Sequence, residues 1–551
     1  MDPTPELPVE EPAESPPGPP AASRLKPIVP YLVLPLIFLL VAFAFSQIIG
    51  PFFYAYNYDP DYVYLFNGLN IATGQSPEHI DHPGTPLQLL LGLGIRLANL
   101  GVPAPKTAAN VLANAETYLT IANLGILAAY AAVMVWVGVA VTRKTGSAVA
   151  GWLVQATPFL LGDSFLLFLR VNPEPLLLLL SLALTPLLID DTGCDWPGGW
   201  SRRILLGFLV ATGICIKITF LPVLIVVLLA ERGTLNRIWH LGLVGIWSLL
   251  WTIPIWNKFG RLFGWIWGLA AKEGPYARGP VGLIGAKSFL SGLATLVLAN
   301  KLFFVCLTAG VATLMVIRFQ NHSNGSQRWL YARLLKCLVL GGLLQFVISA
   351  KNPQSRYLAP AMGLIGLNWA VMALALEPVS WLVNGGRKRL LLRVGTALAV
   401  IIVLAQQSML YASTADNAAG RGEISKLTGE QRQGARIFYY GASSPVNALT
   451  FGNYFAGSQY LRIVEKLVQS GTCQSCLYNN WTGDFYSLRG RVLLKQIVEA
   501  GGPVLLQGDV LSDGEKRLLP QGTRIRELRR FKDERVYELG LDDKVPAGAQ
   551  K

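Results

Sequence analysis

The stretch PEPLLLLLSLALTPLLID, residues 173–190, is apolar over almost its whole length. A helix needs about 20 predominantly apolar residues to cross the hydrocarbon core of a bilayer. Similar runs recur along the chain, at 28–50, 116–141, 147–163, 204–217, 218–231, 238–257, 286–317, 334–350, 357–382 and 389–412. The pair 204–217 and 218–231 is ambiguous, because it could form one long helix or two short passes that meet near Lys217 and Pro222.

The composition agrees with a membrane protein. The chain has 551 residues, of which 52% are apolar types and 15% are charged, and its mean hydropathy is +0.42. Soluble proteins carry about 25% charged residues, so an ordinary cytosolic enzyme is excluded, as is a charge-rich disordered scaffold. The net charge is +14, but the apolar runs leave little room for the basic face that a nucleic-acid-binding protein needs.

Basic residues between the apolar runs set the orientation, because cytoplasmic loops are enriched in Lys and Arg. The basic groups fall on one side only if residues 204–231 make two passes. The sequence therefore predicts an α-helical polytopic membrane protein with about eleven transmembrane helices, its N-terminus inside and its C-terminus outside. The groups are Arg24 and Lys26, Arg143 and Lys144, Arg202 and Arg203, Arg232 and Arg237, Arg318, Arg328 and Arg333, and Arg387, Lys388 and Arg389.

This orientation divides the chain into three parts. Residues 1–27 are rich in Pro, Glu and Ser, which predicts a disordered cytosolic tail. Residues 28–412 form the transmembrane domain, whose first outer loop, 51–115, is predicted to hold amphipathic helices at the membrane surface. The outer loop 258–285 contains Trp265, Trp267 and Tyr276, a membrane-interface composition.

Residues 413–551 are predicted to form a small extracytoplasmic α/β domain. Short apolar runs indicate buried strands, amphipathic runs indicate helices, and the last two segments resemble a strand pair. The strands are 434–442 and 502–508, the helices 458–470 and 490–500, and the strand pair TRIRELRRF (523–531) with ERVYELG (534–540).

Two clusters in the first outer loop are candidates for chemistry. Asp59 and Asp61, in DPDY, follow the first span, where a carboxylate can act as a general base. The alternative is that one of them is a helix N-cap. Asp81 and His82, in DHPGTP, would project from a rigid turn; the alternative is a plain turn before a helix that begins at Leu87.

Charged residues also lie at the predicted outer ends of later spans. Arg170 and Glu174 precede a Leu-rich span, and the alternative is an ordinary helix start with Pro and Glu in its first turn. Lys217 lies inside GICIKITFLP, where an intramembrane charge is a functional candidate by default. Lys351 and Arg356 break the positive-inside pattern and suggest an anion, since Arg suits bidentate phosphate contact.

These motifs together resemble the GT-C glycosyltransferase superfamily, with the protein O-mannosyltransferases and the aminoarabinose transferases as nearer relatives. The resemblance covers about residues 28–380 and leaves the tail out. One departure is that Tyr62 follows Asp61 where relatives often have a second acid, so the base can be either Asp59 or Asp61. The motifs are DPDY (59–62), DHP (81–83), RVNPEPLLLLL (170–180), GICIKITFLP (213–222) and RYLAP (356–360).

The resemblance implies an inverting enzyme that passes a sugar from a polyprenyl-phosphate carrier to the hydroxyl of a lipid, glycan or protein acceptor. It implies a bacterial inner membrane and an active site on the extracytoplasmic face, with no nucleic-acid partner. Asp59 or Asp61 would be the base, and Lys217 and Arg356 would contact the phosphate. The substrate-binding set is completed by Asp81, His82, Arg170, Glu174, Lys351 and Tyr357.

The remaining signals point away from cofactor chemistry. With four histidines and scattered cysteines, the sequence shows no zinc pattern, and we expect no cofactor, although a divalent metal is not excluded. Cys473 and Cys476 are predicted to form a short-loop disulfide outside the cytosol. The alternative functions are a secondary transporter, whose repeated halves are not evident in the sequence, and a non-catalytic lipid-binding or assembly protein.

Overall fold

The protein is described here from a computed structural model. The residues that the structure describes are 28–54, 61–189, 199–272, 281–282, 285–319, 326–376, 404–420, 422–423, 436–440, 445–469, 476–479, 483–487, 490–499, 501–508, 510–531 and 534–541. Asp59, Cys473, Tyr276 and the predicted tail 1–27 lie outside this part of the chain.

Helices dominate the described residues up to 420. They are α1 (Val33–Ile49), α2 (Tyr62–Ala72), α3 (Thr85–Ala98), α4 (Ala104–Ala113), α5 (Ala115–Thr145), α6 (Ala148–Gln155), α7 (Pro173–Ile189), α8 (Gly199–Ile216), α9 (Leu221–Ala230), α10 (Thr234–Trp251), α11 (Phe259–Ala271), α12 (Ala286–Ala299), α13 (Lys301–Phe319), α14 (Ser326–Ser349), α15 (Ala359–Met362), α16 (Ile365–Leu376) and α17 (404–420). Short 3₁₀ segments connect several of them, at Val29–Leu32, Gly162–Leu169, Ile218–Phe220, Ile253–Lys258 and Ser355–Leu358.

The predicted helical membrane architecture is confirmed in outline. By length and composition, four helices within the described ranges are long and apolar enough to cross a membrane, and up to seven spans result if each of three bent helix pairs counts as one. Each of the first ten predicted apolar runs contains a helix. The eleventh, 389–412, lies outside the described residues up to position 403.

One predicted apolar run does not form a single helix. The run 286–317 is two helices, α12 and α13, because Asn300 leaves the helical region with φ −128° and ψ 49°. The Asn300 amide donates to the Leu296 carbonyl at 3.0 Å and to the Ser355 hydroxyl at 3.1 Å. A side chain that satisfies the last carbonyls of a helix allows the helix to end there.

Contacts at the predicted cytosolic end support two passes between residues 199 and 230. The Arg202 guanidinium, at the start of α8, lies 3.0 Å from the Glu231 carboxylate, just after α9. The first residues of one helix and the last of the next therefore share one end of the bundle. The Lys144 ammonium donates to the Pro186 carbonyl at 2.9 Å at this end, and Arg333 donates to the Glu231 carbonyl at 2.9 Å. Of the basic residues that set the predicted orientation, Lys144, Arg202 and Arg333 thus lie at the same end of the described bundle.

The first outer loop forms helices at the opposite end, as predicted. Helix α3 leaves Leu90, Leu93 and Leu97 more than half exposed at helical spacing, an apolar face suited to lipid. Helix α11 follows a 77° bend after α10 and exposes Phe263 and Trp267, at 62% and 72%. This matches the interface composition predicted for that loop.

Most described residues beyond 435 form a seven-stranded sheet with helices packed beside it, as the predicted α/β domain requires. Its strand order is β4-β3-β2-β1-β5-β7-β6, and β1 pairs in parallel with both β2 and β5. The strands are β1 (Arg436–Tyr440), β2 (Cys476–Asn479), β3 (Asp484–Ser487), β4 (Gly490–Val492), β5 (Val504–Gly508), β6 (Thr523–Phe531) and β7 (Glu534–Leu541); the helices are α18 (Pro445–Phe455), α19 (Leu461–Gln469), α20 (Leu494–Glu499) and α21 (Asp513–Leu518).

The strand predictions in the tail are confirmed at β1, β5 and the antiparallel pair of β6 with β7. The helix predicted over 490–500 is wrong at its start, because Gly490–Val492 is strand β4. Pairing of Phe485 with Val492 in the ladder outweighs the helical pattern there. The predicted domain boundary at residue 413 falls inside α17.

Helix α18 joins the tail to the first outer loop. It packs on α2, where the backbone of Gly452 approaches Tyr62 so closely that an added Cβ would lie 3.1 Å from it. The buried Asn67 amide donates to the Phe455 carbonyl at 3.2 Å, and the Tyr460 hydroxyl donates to the Asn70 side-chain oxygen at 2.6 Å. The tail therefore holds the helix that begins directly after Asp61.

Candidate active site

Asp61 links the first outer loop to the segment before α7. It occupies the N-cap position of α2, but its side chain makes no capping hydrogen bond. Instead one carboxylate oxygen accepts from the Arg170 guanidinium at 3.1 Å and the other accepts from the Val171 N–H at 2.7 Å. Arg170 also donates to the Phe52 carbonyl at 3.0 Å. The capping alternative is therefore wrong for the Asp61 side chain.

Burial and hydrogen bonding act on the pKa of Asp61 in opposite directions. The residue is 2% exposed. Burial raises the pKa of Asp61 above its ordinary value, against the opposing effects of the Arg170 charge and the Val171 N–H. A carboxyl group with a raised pKa is a better proton acceptor than an ordinary one when it is ionised.

Lys217 forms the centre of a second cluster. It interrupts the helix between α8 and α9 with extended backbone angles, φ −159° and ψ 130°. Its ammonium lies 2.5 Å from the Glu174 carboxylate and 4.6 Å from the centre of the Tyr357 ring. Lys217 and Glu174 are both nearly fully buried, so the pairing offsets the cost of placing either charge in an apolar interior.

Arg356 and Lys351 approach this cluster from the segment between α14 and α15. The Arg356 guanidinium lies 5.4 Å from the centre of the Tyr357 ring, and its Nε donates to the Gln354 side chain at 2.7 Å. The Lys351 ammonium donates to the Leu269 carbonyl in α11. Both cations remain partly exposed, which leaves them surface for a further partner.

His82 lies in a strained turn beside the same cations. Its φ is +64°, a left-handed value that is uncommon for residues other than glycine, and Gly84 follows with φ +68°. The imidazole packs edge-on against Trp265 in α11 at 4.5 Å, and its buried Nδ1 has no hydrogen-bond partner within the described part of the chain. Burial lowers the pKa of His82 well below its ordinary value, and the charges of Lys217, His79 and Arg356 lower it further.

A cavity of about 260 Å³ lies beside these groups. Three of the predicted site residues line it, namely His82, Lys351 and Tyr357. The rest of its wall is mainly apolar and comes from the 3₁₀ segment after Lys217, from α11 and from the end of α14. The other lining residues are Ile218, Thr219, Leu221, Pro222, Ile266, Leu269, Ala270, Ile348, Ser349 and Asn352.

The structure brings most of the predicted site residues together in pairs. Asp61 meets Arg170, and Glu174 meets Lys217 beside Tyr357 and Arg356. Asp81 is partly exposed and makes no ion pair with any residue that the structure describes. Helix α3 begins at Thr85, two residues before the predicted start at Leu87.

The metal and cysteine predictions stay untested. The described residues hold no group of three His, Cys, Asp or Glu side chains that could bind a metal ion. Cys473 is outside the described part, so the disulfide with Cys476 is not described. Cys215, Cys306 and Cys337 are buried, as expected for packing residues.

Several site residues were missed from the sequence. Gln354 holds Arg356, Trp265 supports His82, and Asn67 accepts the N–H groups of Glu78 and His79 at 2.7 and 3.0 Å. The signal for Asn67 is present in FNGLN, where two amide side chains three residues apart interrupt an apolar helix. Trp265 carries no such signal, because its contact depends on how α11 folds back.

Comparisons with known proteins give a likeness of fold. No protein-family model and no curated protein sequence matches the chain. The structure of ArnT from Cupriavidus metallidurans bound to undecaprenyl phosphate aligns with a TM-score of 0.49 and 12% identity, covering 93% of this chain and 97% of that one. The oligosaccharyltransferase AglB from Archaeoglobus fulgidus, in complex with an inhibitory peptide and a dolichol-phosphate, aligns with a TM-score of 0.41 and 11% identity over 81% of this chain and 69% of that one. Because both scores lie below 0.5, the function of this chain is argued from its own residues.

Proposed function

We propose that the protein is an integral-membrane glycosyltransferase that moves a sugar from a polyprenyl-phosphate carrier to an acceptor hydroxyl on the extracytoplasmic side, with inversion. One observation carries the proposal: a largely apolar cavity has cations at its wall and just behind it. Lys351 and Tyr357 line the cavity, and the Lys217 ammonium lies 4.6 Å from the centre of the Tyr357 ring.

The two kinds of surface match the two parts of such a donor. The apolar wall, which includes Ile218, Ile266 and Ile348, suits the isoprenoid chain next to its phosphate. The partly exposed Lys351 and Arg356 suit the phosphate, since guanidinium and ammonium groups form strong charge-assisted hydrogen bonds with phosphate oxygens. A soluble sugar nucleotide would have no use for the apolar part.

The cations also supply a reason for catalysis. As the bond between the anomeric carbon and the phosphate oxygen breaks, negative charge accumulates on the leaving phosphate. Lys217 and Arg356 are held in place by Glu174 and Gln354 before any substrate arrives. Charges fixed in advance stabilise a developing anion without reorganisation, which is the largest single contribution in many enzymes.

A first-loop carboxylate, Asp59 or Asp61, is proposed to accept the proton of the acceptor hydroxyl. In this structure both oxygens of Asp61 are engaged by Arg170 and Val171, so the hydroxyl would have to compete with one of these partners. If Asp59 is the base, Asp61 positions Arg170 and thereby the start of α7. Both assignments keep a carboxylate on the acceptor side and cations on the donor side.

The test is release of polyprenyl phosphate from a radiolabelled panel of glycosyl polyprenyl phosphates by the purified enzyme in lipid nanodiscs. We expect cleavage with at least one sugar when a crude envelope extract supplies acceptors. Asp59→Asn or Asp61→Asn should abolish transfer, and the variant that does so while keeping the wild-type melting temperature identifies the base.

Two results would contradict the proposal. Near-normal turnover in both aspartate variants would exclude a first-loop carboxylate as the base. Movement of uncleaved label across proteoliposomes would indicate a transporter instead, and binding without cleavage or transport would indicate an assembly protein.

A further inference from the structure

One group at the cavity wall has no part in the mechanism proposed above. His82 lines the donor cavity, yet the phosphate contacts belong to lysine and arginine and the base is a carboxylate. Its Nδ1 is buried without a hydrogen-bond partner among the described residues, whereas most buried polar atoms in proteins have one. A buried ring nitrogen with no internal acceptor can carry a proton favourably only when a nearby anion compensates its charge.

The backbone around His82 is built to hold the imidazole there. The turn places a residue other than glycine at φ +64°, and such strain persists where the surroundings enforce it, commonly at functional sites. Trp265 contacts the ring edge-on at 4.5 Å, and the Gln88 amide donates to the His79 carbonyl at 2.8 Å within the same turn. These contacts therefore hold the imidazole at the cavity wall despite the strained backbone of the turn.

We propose that His82 takes up a proton as the carrier phosphate is released from the sugar, so that an imidazolium faces the doubly charged phosphate product. This inference rests on the proposed function and deepens it, because it assigns a proton-binding role on the donor side of the same site.

The proton balance of the reaction provides such a proton. The donor is a phosphodiester with one negative charge. When its bond to the anomeric carbon breaks, the electron pair goes to the phosphate oxygen and leaves a monoester, whose second ionisation has a pKa of about 6. The acceptor oxygen bonds to the anomeric carbon and loses its proton to the first-loop carboxylate. Transfer thus creates one new negative charge and one proton. The carboxylate returns its proton to solvent, and His82, beside the new charge, takes one up from solvent.

The charges that face His82 make its protonation depend on the ligand. Lys217, His79 and Arg356 act on it electrostatically, and Lys351 lines the same cavity. With no anion bound, burial and these neighbouring charges hold the pKa of His82 well below its ordinary value, so the ring is neutral. Glu174 already pairs with Lys217, and a phosphate dianion placed beside Lys351 and Arg356 offsets the remaining positive field, which favours the charged ring.

Two lipids that differ by one ionisable phosphate oxygen distinguish proton uptake by His82 from binding of the lipid without proton uptake. The probes are undecaprenyl phosphate, which can reach two charges, and its methyl phosphodiester, which stays at one. Isothermal titration of the full-length enzyme in nanodiscs, repeated in buffers of different ionisation enthalpy at pH 7.5, counts the protons taken up per lipid bound.

For the wild-type enzyme we expect uptake of up to about one proton per monoester and close to none for the diester, by linkage between ligand and proton binding. Monoester affinity should then weaken as the pH rises from 6.5 to 8.5, by up to about tenfold per unit. His82→Gln should remove both the proton uptake and the pH slope while keeping diester affinity. His240→Gln, which lies beside Glu231 and away from the cavity, should keep both.

The outcomes are distinguishable from those of the proposed function. If the wild-type enzyme binds both lipids and takes up no proton with the monoester, the role of His82 is wrong and the transferase proposal stands. Proton uptake that persists in His82→Gln would place the proton on the phosphate or another group and also overturns it. Failure of the wild-type enzyme to bind either lipid contradicts both proposals. If His82→Gln does not fold, His82→Asn takes its place in the same comparison, because Asn tolerates the left-handed backbone at φ +64° better than most residues.

Discussion

Each end of the helical bundle holds a buried glutamate paired with a basic residue, but the surroundings of the two pairs differ. At the predicted cytosolic end the Glu231 carboxylate is buried, lies 3.0 Å from the Arg202 guanidinium and lies 3.6 Å from the His240 ring. Its backbone carbonyl accepts from Arg237 and Arg333, at 3.2 and 2.9 Å. These cations therefore bind a carboxylate and a backbone carbonyl at the ends of helices.

At the outer end, Glu174 is likewise buried and paired with a cation, Lys217. Here the neighbouring groups lie beside a cavity of about 260 Å³, which His82, Lys351 and Tyr357 help to line. Burial of charge is thus common to both ends, and at the outer end the buried pair lies beside a cavity with further cations at its wall. The contrast teaches that a buried ion pair marks a site only when the surrounding structure leaves something for a ligand to bind.

The largest effect expected is loss of transfer at Lys217. Lys217→Met should lower the rate of polyprenyl-phosphate release by about 10²–10³-fold, the usual cost of removing one fixed charge from a developing anion. That change leaves the Glu174 carboxylate buried without its cation. The matched variant therefore combines Lys217→Met with Glu174→Gln. It should recover thermal stability and remain inactive; recovery of activity as well would make the lysine a structural residue.

The corresponding change at the cytosolic end should affect stability alone. Glu231→Gln leaves Arg202 buried beside a neutral partner and should cost about 3 kcal/mol, as breaking a buried ion pair does. The melting temperature in detergent should fall, while turnover per folded molecule stays at the wild-type value. A comparable loss of turnover at both ends would remove the distinction between them.

A smaller effect is expected where the tail meets the first outer loop. Tyr460→Phe deletes the 2.6 Å hydrogen bond to Asn70 and should destabilise the junction by about 1 kcal/mol. Hydrogen exchange of α2 should rise, with exchange in α8 unchanged as the internal reference. Unchanged exchange in α2 would mean that the tail does not hold this helix.

The smallest effect concerns the ion pairs that tie α11 to the loop before His82. Burial alone would raise the pKa of Glu78. The charges and hydrogen bonds of Lys258 at 2.8 Å and Arg261 at 3.1 Å lower this pKa instead. A lowered folded-state pKa stabilises the protein above the ordinary value of 4.5 and ceases to do so as the pH falls through the lowered one. Glu78→Gln should therefore cost up to about 1 kcal/mol at pH 7. Melting scans of both proteins should converge below about pH 4.5.

The sequence predicted the parts of the molecule that follow from local pattern. Apolar runs located the helices, alternating and short apolar runs located β1, β5 and the β6–β7 pair, and a lysine in an apolar helix identified Lys217. Charge on the wrong side of the membrane identified Lys351 and Arg356. Each of these signals comes from a residue and its neighbours along the chain.

The partners of those residues could not be predicted, because they come from distant segments. Nothing in the sequence pairs Glu174 with Lys217, 43 positions away, or places Trp265 against His82. The break at Asn300 was also missed, since a single Asn within an apolar run gives a weak signal compared with the hydropathy around it. Pairwise geometry of this kind appears only when the helices are packed.

Photo-crosslinking with an undecaprenyl phosphate analogue that carries a diazirine next to the phosphate tests the central claim most directly. After irradiation in nanodiscs, we expect labelled peptides from the outer cavity, within 217–222, 265–270 and 348–357, and competition by unlabelled undecaprenyl phosphate. The variant with Lys217→Met and Glu174→Gln should lose this labelling. Competable labelling confined to peptides around Arg202 and Glu231, at the cytosolic end, would contradict the assignment of the outer cluster as the lipid-phosphate site.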